Sequence, residues 1–120
     1  MAISKYSVVE AGNLGLGQAG SVFTDIDGAI KPPTGTVFVA ITFLDDTTLD
    51  TSGGLVAEDA NQYANTEAAA HNESDGSETA TQGSGGLQID VSNTFPAGVT
   101  IFGRWTEIDL DAGMIIAYIG

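Results

Sequence analysis

The most apolar part of the sequence is its last 27 residues, from Thr94 to Gly120. Two apolar segments, Val99 to Leu110 and Met114 to Ile119, are separated there by a short turn at 111–113. Because the second segment is apolar at six consecutive positions, both of its faces need cover. We therefore predict that it is a buried strand of a sheet.

The clearest alternating pattern in the interior runs from Thr36 to Leu44 and predicts a strand. One face would carry Val37, Val39, Ile41 and Phe43, and the other Thr36, Phe38, Ala40, Thr42 and Leu44. Because the second face is half apolar, we expect a second sheet or a partner subunit to cover it. After a turn at Asp45-Asp46, the segment from Thr47 to Thr51 is expected to return as the hairpin partner of this strand.

Shorter β patterns occur at Tyr6 to Glu10, Ser21 to Asp25 and Leu87 to Val91. Between Val99 and Leu110 the apolar positions change parity, which predicts a bulge near Thr106-Glu107 or a kink at Gly103. With 16 glycines and six to eight strands joined by turns, the pattern predicts an all-β fold. The expected architecture is a small antiparallel β-sandwich, jelly roll or barrel that forms a single domain over residues 1–120.

A long polar segment interrupts this pattern between Glu58 and Gly86. Tyr63 is its only large apolar residue, and its alanine-rich first half, Glu58 to His71, is compatible with a short helix. Long loops inside compact domains are usually functional, disordered or ordered by a partner. We expect residues 58–86, and the glycine-rich segment from Ala11 to Gly20, to be arms that become ordered on a neighbouring molecule.

The charge of the chain excludes several classes of partner. Sixteen acidic residues face three basic ones, for a formal net charge of −13. Nucleic acids and anionic membranes are therefore not expected to bind. Without cysteine there is no disulfide and no thiolate metal site. No apolar leader or membrane-length segment is present in the sequence, so we expect the protein to be made in a cytoplasm and kept or assembled there.

None of the motifs predicts catalysis or a cofactor. The segment from Gly15 to Gly20 matches G-x-G-x-x-G, but a strand and two prolines follow it, where a dinucleotide site needs a helix. The single histidine, His71, has no nucleophile placed beside it by any motif. We therefore predict no enzyme activity, no catalytic residue, no cofactor-binding residue and no metal ligand.

Two weaker signals remain open. The aspartate pairs Asp25/Asp27 and Asp109/Asp111 suggest calcium, but the EF-hand pattern fails, because Ala29 stands at its fifth position and Thr36 at its twelfth. These aspartates are expected to form turns, with an ordered divalent ion as the alternative. Trp105 or Tyr63 could offer a stacking platform for a sugar. The other interpretation of Trp105 is a core residue with Arg104 at its rim.

Several segments resemble small virion proteins of tailed bacteriophages, especially those of marine and cyanobacterial phages. The similar segments are Phe95 to Trp105, Ile108 to Leu110, Ile115 to Gly120, Gly54 to Asp59 and Thr66 to His71. They are structural and carry no catalytic motif.

This resemblance implies a non-enzymatic head decoration, or cement, protein on the outer surface of the phage head. Its partner would be the major capsid protein, and self-association, commonly as a trimer, is expected. A fibre or spike module that binds a host receptor or glycan is the alternative.

Overall fold

The structure, a computed structural model, describes residues 18–60, 62–67, 79–80, 83–84 and 88–120, and this part of the chain is all-β without a helix. Its strands are β1 (Ser21–Thr24), β2 (Ala29–Ile30), β3 (Phe38–Phe43), β4 (Thr48–Leu49), β5 (Leu55–Ala57), β6 (Thr79–Ala80), β7 (Gly83–Ser84), β8 (Thr100–Ala112) and β9 (Ile115–Ile119). All their pairings are antiparallel. The predicted fold class is confirmed.

The 13-residue strand β8 organises the main sheet. Five strands lie in the order β1-β9-β3-β8-β2, and β4 and β5 also pair with β8. The first half of β8 pairs with β3 and the second half with β2. One strand therefore connects the two halves of the sheet, which together enclose the core.

The core lies on the inner face of this sheet and is made of large apolar side chains. On β9, Ile115, Ala117 and Ile119 point inward, and Ile116 and Tyr118 alternate with them as half-buried residues. The apolar residues at 0–1% exposure are Phe38, Ile41, Phe43, Leu49, Leu55, Trp105, Ile108, Leu110, Ile115 and Ala117. Each large side chain of this kind stabilises the fold by about 1.5–3 kcal/mol through removal of apolar area from water. The predicted burial of the terminal segment as a sheet strand is confirmed.

The parity change within β8 is resolved by a bulge, as the sequence predicts. Val56 pairs with Glu107, and the next residue of β5, Ala57, pairs with Trp105, so Thr106 is the extra residue. The bulge turns Trp105 and Ile108, three positions apart, toward the same core.

The alternation predicted for β3 is wrong at Phe38. The register shifts between Phe38 and Ala40, which pair with the consecutive residues Ile119 and Tyr118 of β9. Because consecutive residues of β9 point to opposite faces, Phe38 joins Ile119 in the core, whereas Ala40 lies on the other face. A strict period of two cannot anticipate an irregularity at Val39.

The predicted hairpin partner of β3 is also wrong. Both edges of β3 are filled by β8 and β9, so the chain after Asp46 passes to β8 instead. Thr48–Leu49 pairs with β8, and Thr47 forms a bridge with Phe95.

Two other predicted strands fare differently. The described residues of the segment predicted at Leu87 to Val91 form no strand, although Ile89 packs against the core. The segment predicted at Tyr6 to Glu10 lies outside the described residues, as does Leu87.

The beginning of the predicted arm is bound to the domain instead of projecting from it. Asn65 and Thr66 are 0% and 1% exposed. The Thr66 hydroxyl accepts the backbone N–H of Leu55, and Trp105 Nε1 donates to the carbonyl of Ala64 at 2.9 Å. For residues 58–60 and 62–67 the expectations of a free arm and of a helix are therefore wrong. The prediction for 61, 68–78, 81–82 and 85–86, and for 11–17, falls outside the described residues.

A close approach at Gly103 gives a test of the packing around Trp105. A Cβ at Gly103 would lie 2.6 Å from Trp105 Cζ2, so Gly103→Ala must displace the buried ring. We expect a loss of about 1–3 kcal/mol in the free energy of unfolding, measured by urea denaturation. Gly28→Ala is the control, because its Cβ would meet only Ile26 Cδ1, at 3.9 Å. Equal stabilities of the two variants would contradict this packing.

Candidate functional site

Four strands of the main sheet present a second face, opposite the core. One row across β8, β3, β9 and β1 consists of Phe102, Ala40, Tyr118 and Ser21. The next row consists of Thr100, Thr42, Ile116 and Phe23. These eight residues are called the outer face below. Their positions follow from the register, since each alternates along its strand with a residue that points to the core.

The outer face is largely apolar and carries no charged side chain. Phe102 is 75% exposed and Phe23 is 56% exposed, and Ile116 and Tyr118 are half-buried. Ala40 stands between Phe102 and Tyr118, which are two strand spacings apart, or about 10 Å. Ala40 itself is 4% exposed, so the exposed apolar area of this row lies at Phe102. In the second row the hydroxyls of Thr42 and Thr100 form one hydrogen bond, with their oxygens 2.8 Å apart.

Acidic residues lie beyond one end of the outer face. Because β1 and β3 are both antiparallel to β9, they run in the same direction and end at the same edge. Asp25 follows β1 directly, and Asp45 and Asp46 follow β3 after Leu44, which is 43% exposed. These three exposed aspartates are called the acidic rim.

The two basic residues of the described chain are paired elsewhere. Arg104 donates from Nε to Glu58 Oε1 at 2.8 Å, and from its terminal nitrogen to Oε2 at 3.0 Å. This hydrogen bond lowers the pKa of Glu58 from its ordinary value. Lys31 Nζ lies 3.3 Å from Glu107 Oε1. Neither cation is thus paired with the acidic rim.

A second group of chemistry-bearing residues is a cluster of three aspartates. Carboxylate oxygens of Asp27, Asp50 and Asp109 lie within 4.8 Å of one another. Asp27 precedes β2 and is exposed, whereas Asp50 follows β4 and is half-buried, as is Asp109 on β8. The pairing of Ala29 with Asp109 brings the first and last of these residues together.

Burial, followed by electrostatic repulsion between neighbouring carboxylates, governs the chemistry of this cluster. Burial raises the pKa of Asp109 above its ordinary value, and the charges of Asp50, Asp27 and Glu107 raise it further. Within the described chain, Asp109 Oδ1 is buried and accepts no hydrogen bond. The three carboxylates could supply some of the oxygen ligands of a hard divalent cation. Calcium, for example, takes six to eight oxygens. Carboxylate clusters also arise by chance in a chain with 16 acidic residues, and the geometry establishes only the repulsion.

The remaining sequence candidates are placed as follows. Trp105 is 1% exposed, so the hypothesis that it is a stacking platform for a sugar is wrong. The prediction that it is a core residue is confirmed. Tyr63 is half-buried against the core. In the G-x-G-x-x-G match, Gly20 precedes strand β1, not a helix. His71 lies outside the described residues.

Sequence reasoning singled out Asp27 and Asp109 but missed Asp50 and the outer face. Asp50 lies far from any motif, and only the pairing of β4 with β8 places it beside Asp109. The sequence places Phe102 and Phe23 in predicted strands but does not assign either residue to a face. The half-apolar second face of β3 was the one available signal for the outer face.

The two faces of β9 give a matched pair of variants. Ile115 is 0% exposed, whereas the side chain of Ile116 belongs to the outer face. A buried unpaired carboxylate costs several kcal/mol, a large share of the 5–15 kcal/mol that stabilises a typical domain. We expect Ile115→Asp to unfold the chain and Ile116→Asp to remain folded, as measured by circular dichroism and thermal denaturation. Unfolding of both would place Ile116 inside the domain.

The raised pKa of Asp109 predicts how stability depends on pH. Because the folded pKa exceeds the unfolded value, the favourable contribution of protonated Asp109 is present at low pH and is lost as the pH rises through the folded pKa. We expect Asp109→Asn to have a higher Tm than the wild type at pH 7. This gain should shrink as the pH falls toward 4.

The control for this prediction is Asp111→Asn, which removes an equal charge from an exposed site two residues along β8. It should reproduce neither the gain nor its pH dependence. A Tm of Asp109→Asn at or below that of the wild type at pH 7 would contradict the repulsion.

Comparison with known proteins leaves the geometry as the basis for function. No protein-family model, curated protein or solved structure matches the chain. In the part of the chain that the structure describes, no helix has the length and apolar character to span a membrane.

Proposed function

We propose that this chain is a non-enzymatic structural protein of a phage virion, of the head decoration or cement type. Its partner in this role is the major capsid protein, and its place is the outer surface of the phage head. The observation that supports the proposal is the outer face, an exposed apolar surface on the central sheet of a strongly acidic domain. The resemblance of the β8 and β9 segments to phage virion proteins favours the same role.

The exposed aromatic residues are the physical reason why we propose that the outer face binds a partner. Phe102 and Phe23 are 75% and 56% exposed, and they belong to a continuous patch with Ile116 and Tyr118. Contiguous apolar patches on otherwise polar proteins commonly mark interaction sites. An assembly that covers this patch removes the aromatic rings from water.

The net charge favours the exterior of the shell over its interior. At −13, the chain would be repelled by the phosphates of packaged DNA. On the outside of the head no such repulsion arises. The same charge keeps the unassembled protein soluble despite its apolar face.

The structure changes the part that the polar segment plays in this proposal. Residues 58–60 and 62–67 contact their own domain through Asn65 and Thr66. The contact with a neighbouring molecule is therefore assigned to the outer face and not to an arm that begins at Glu58. Self-association, as a trimer on the shell, stays a prediction.

The alternative is a fibre or spike module that binds a host receptor or glycan. Trp105 is buried and offers no platform, but the exposed ring of Phe102 could stack on a sugar. Copy number separates the two roles, because a decoration protein covers the shell and a fibre is present at few sites.

Quantitative mass spectrometry of virions purified from the source phage measures this copy number. We expect hundreds of copies per particle, and cryo-electron microscopy should locate them outside the shell. Tens of copies or fewer would favour the fibre, and absence of the chain from purified particles would overturn the virion role altogether.

A further inference from the structure

The outer face and the acidic rim together form a surface with two chemically different parts. The part on the four strands is uncharged, with Phe102, Ile116, Tyr118 and Phe23 as its large side chains. Asp25, Asp45 and Asp46 border it at the end where β1 and β3 terminate. A partner that covers the first part therefore meets carboxylates at one end.

We propose that this surface docks a protein whose contact patch has an apolar centre bordered by lysine or arginine side chains. The proposal rests on the proposed function and names the chemistry that the capsid surface must offer. The aromatic rings supply the central contacts, in which a few large side chains carry most of the binding energy. The acidic rim steers the partner and fixes its orientation.

The charges of the acidic rim are available to such a partner. Arg104 is engaged by Glu58, and Lys31 by Glu107, so neither is paired with the rim. Within the described chain the two contacts of the rim carboxylates are backbone amides. Asp45 Oδ1 accepts the N–H of Asp46, and Asp46 Oδ1 accepts that of Ala97. Among the described contacts, neither bond brings a counter-charge to these carboxylates.

A second copy of the chain fits this surface less well. Two copies that met through their outer faces would bring together two molecules that each carry a charge of −13. The chain has three basic residues, of which Arg104 and Lys31 already have acidic partners. Within the described chain, both cations of a copy are thus already paired with carboxylates, whereas a basic-rimmed partner brings its own.

Rebinding of the purified full-length chain to phage heads that lack it tests the proposal. Phe102→Ser and Ile116→Ser remove apolar contacts, and we expect about tenfold or greater loss of affinity for each. The double variant Asp25→Asn/Asp45→Asn removes rim charges but keeps the Asp45 side-chain acceptor. We expect it to bind more slowly and with a weaker dependence on salt concentration.

The double variant Glu67→Gln/Asp90→Asn is the matched charge control, because it also removes two charges, and both sites lie beside residues 51–53, away from the acidic rim. Each substitution keeps the side-chain oxygen that accepts a backbone N–H. This control should bind as the wild type does. Unchanged thermal denaturation of each variant shows that a loss of binding is not a loss of folding.

The outcomes separate this inference from the proposed function. If the wild type binds the heads and the Phe102 and Ile116 variants bind equally well, the docking surface is wrong and the decoration role stands. If the rim variant and Glu67→Gln/Asp90→Asn have the same salt dependence, the basic border is wrong. If the wild type does not bind the heads, the decoration role fails and the inference fails with it.

Sedimentation tests whether a second copy of the chain occupies the outer face instead. We expect the outer-face variants to sediment as the wild type does in the absence of heads. A wild-type dimer that Phe102→Ser converts to a monomer would assign the face to self-association and overturn the proposal.

Discussion

The fold depends on one constraint, that strand β8 must face a single core along its whole length. It pairs with β3 near its start and with β2, β4 and β5 further along. A regular strand would turn Ile108 away from the core on which Trp105 packs. The extra residue at Thr106 corrects this, and Trp105 then closes the core by a hydrogen bond from its indole N–H to Ala64. The same bond ties the polar segment after β5 to the domain.

Because the inner face is satisfied in this way, the alternate residues of these strands lie on the other face, where Phe102 and Phe23 are exposed. Strands β8, β3, β9 and β1 alternate between the two faces, so the burial of Ile115 and Ala117 places Ile116 and Tyr118 outside. Their neighbours there are Phe102 and Phe23, not polar residues. The apolar outer face thus follows from the sheet register and is not a defect of packing. It is the feature on which the functional proposal and the partner's chemistry both depend.

The sequence predicted those parts of the fold that local periodicity encodes. The β8 and β9 strands and the bulge at Thr106 follow from runs and parity of apolar residues. The partner of β4 did not follow, because pairing depends on which strand edges remain free, and β3 has none. The packing of Asn65 and Thr66 was missed because buried polar side chains that hydrogen-bond to the backbone look the same in sequence as exposed ones.

The same distinction applies to the candidate site, where some residues were visible in the sequence and others required the strand order. The apolar second face of β3 was visible as a pattern, and so were the aspartates at 25, 27, 109 and 111. Asp50 could be placed beside Asp109 only once the strand order was known. The acidic rim likewise requires the parallel direction of β1 and β3, a property of three strands together that no single segment reveals.

Hydroxyl-radical footprinting of the free chain and of assembled particles tests most directly the claim that the outer face is open in the monomer and covered in the assembly. In the free chain, Phe102 and Phe23 should be labelled rapidly and Trp105 slowly, as their exposures of 75%, 56% and 1% require. In particles, labelling of Phe102 should fall sharply. Slow labelling of Phe102 in the free chain, or equal labelling in both states, would contradict the account.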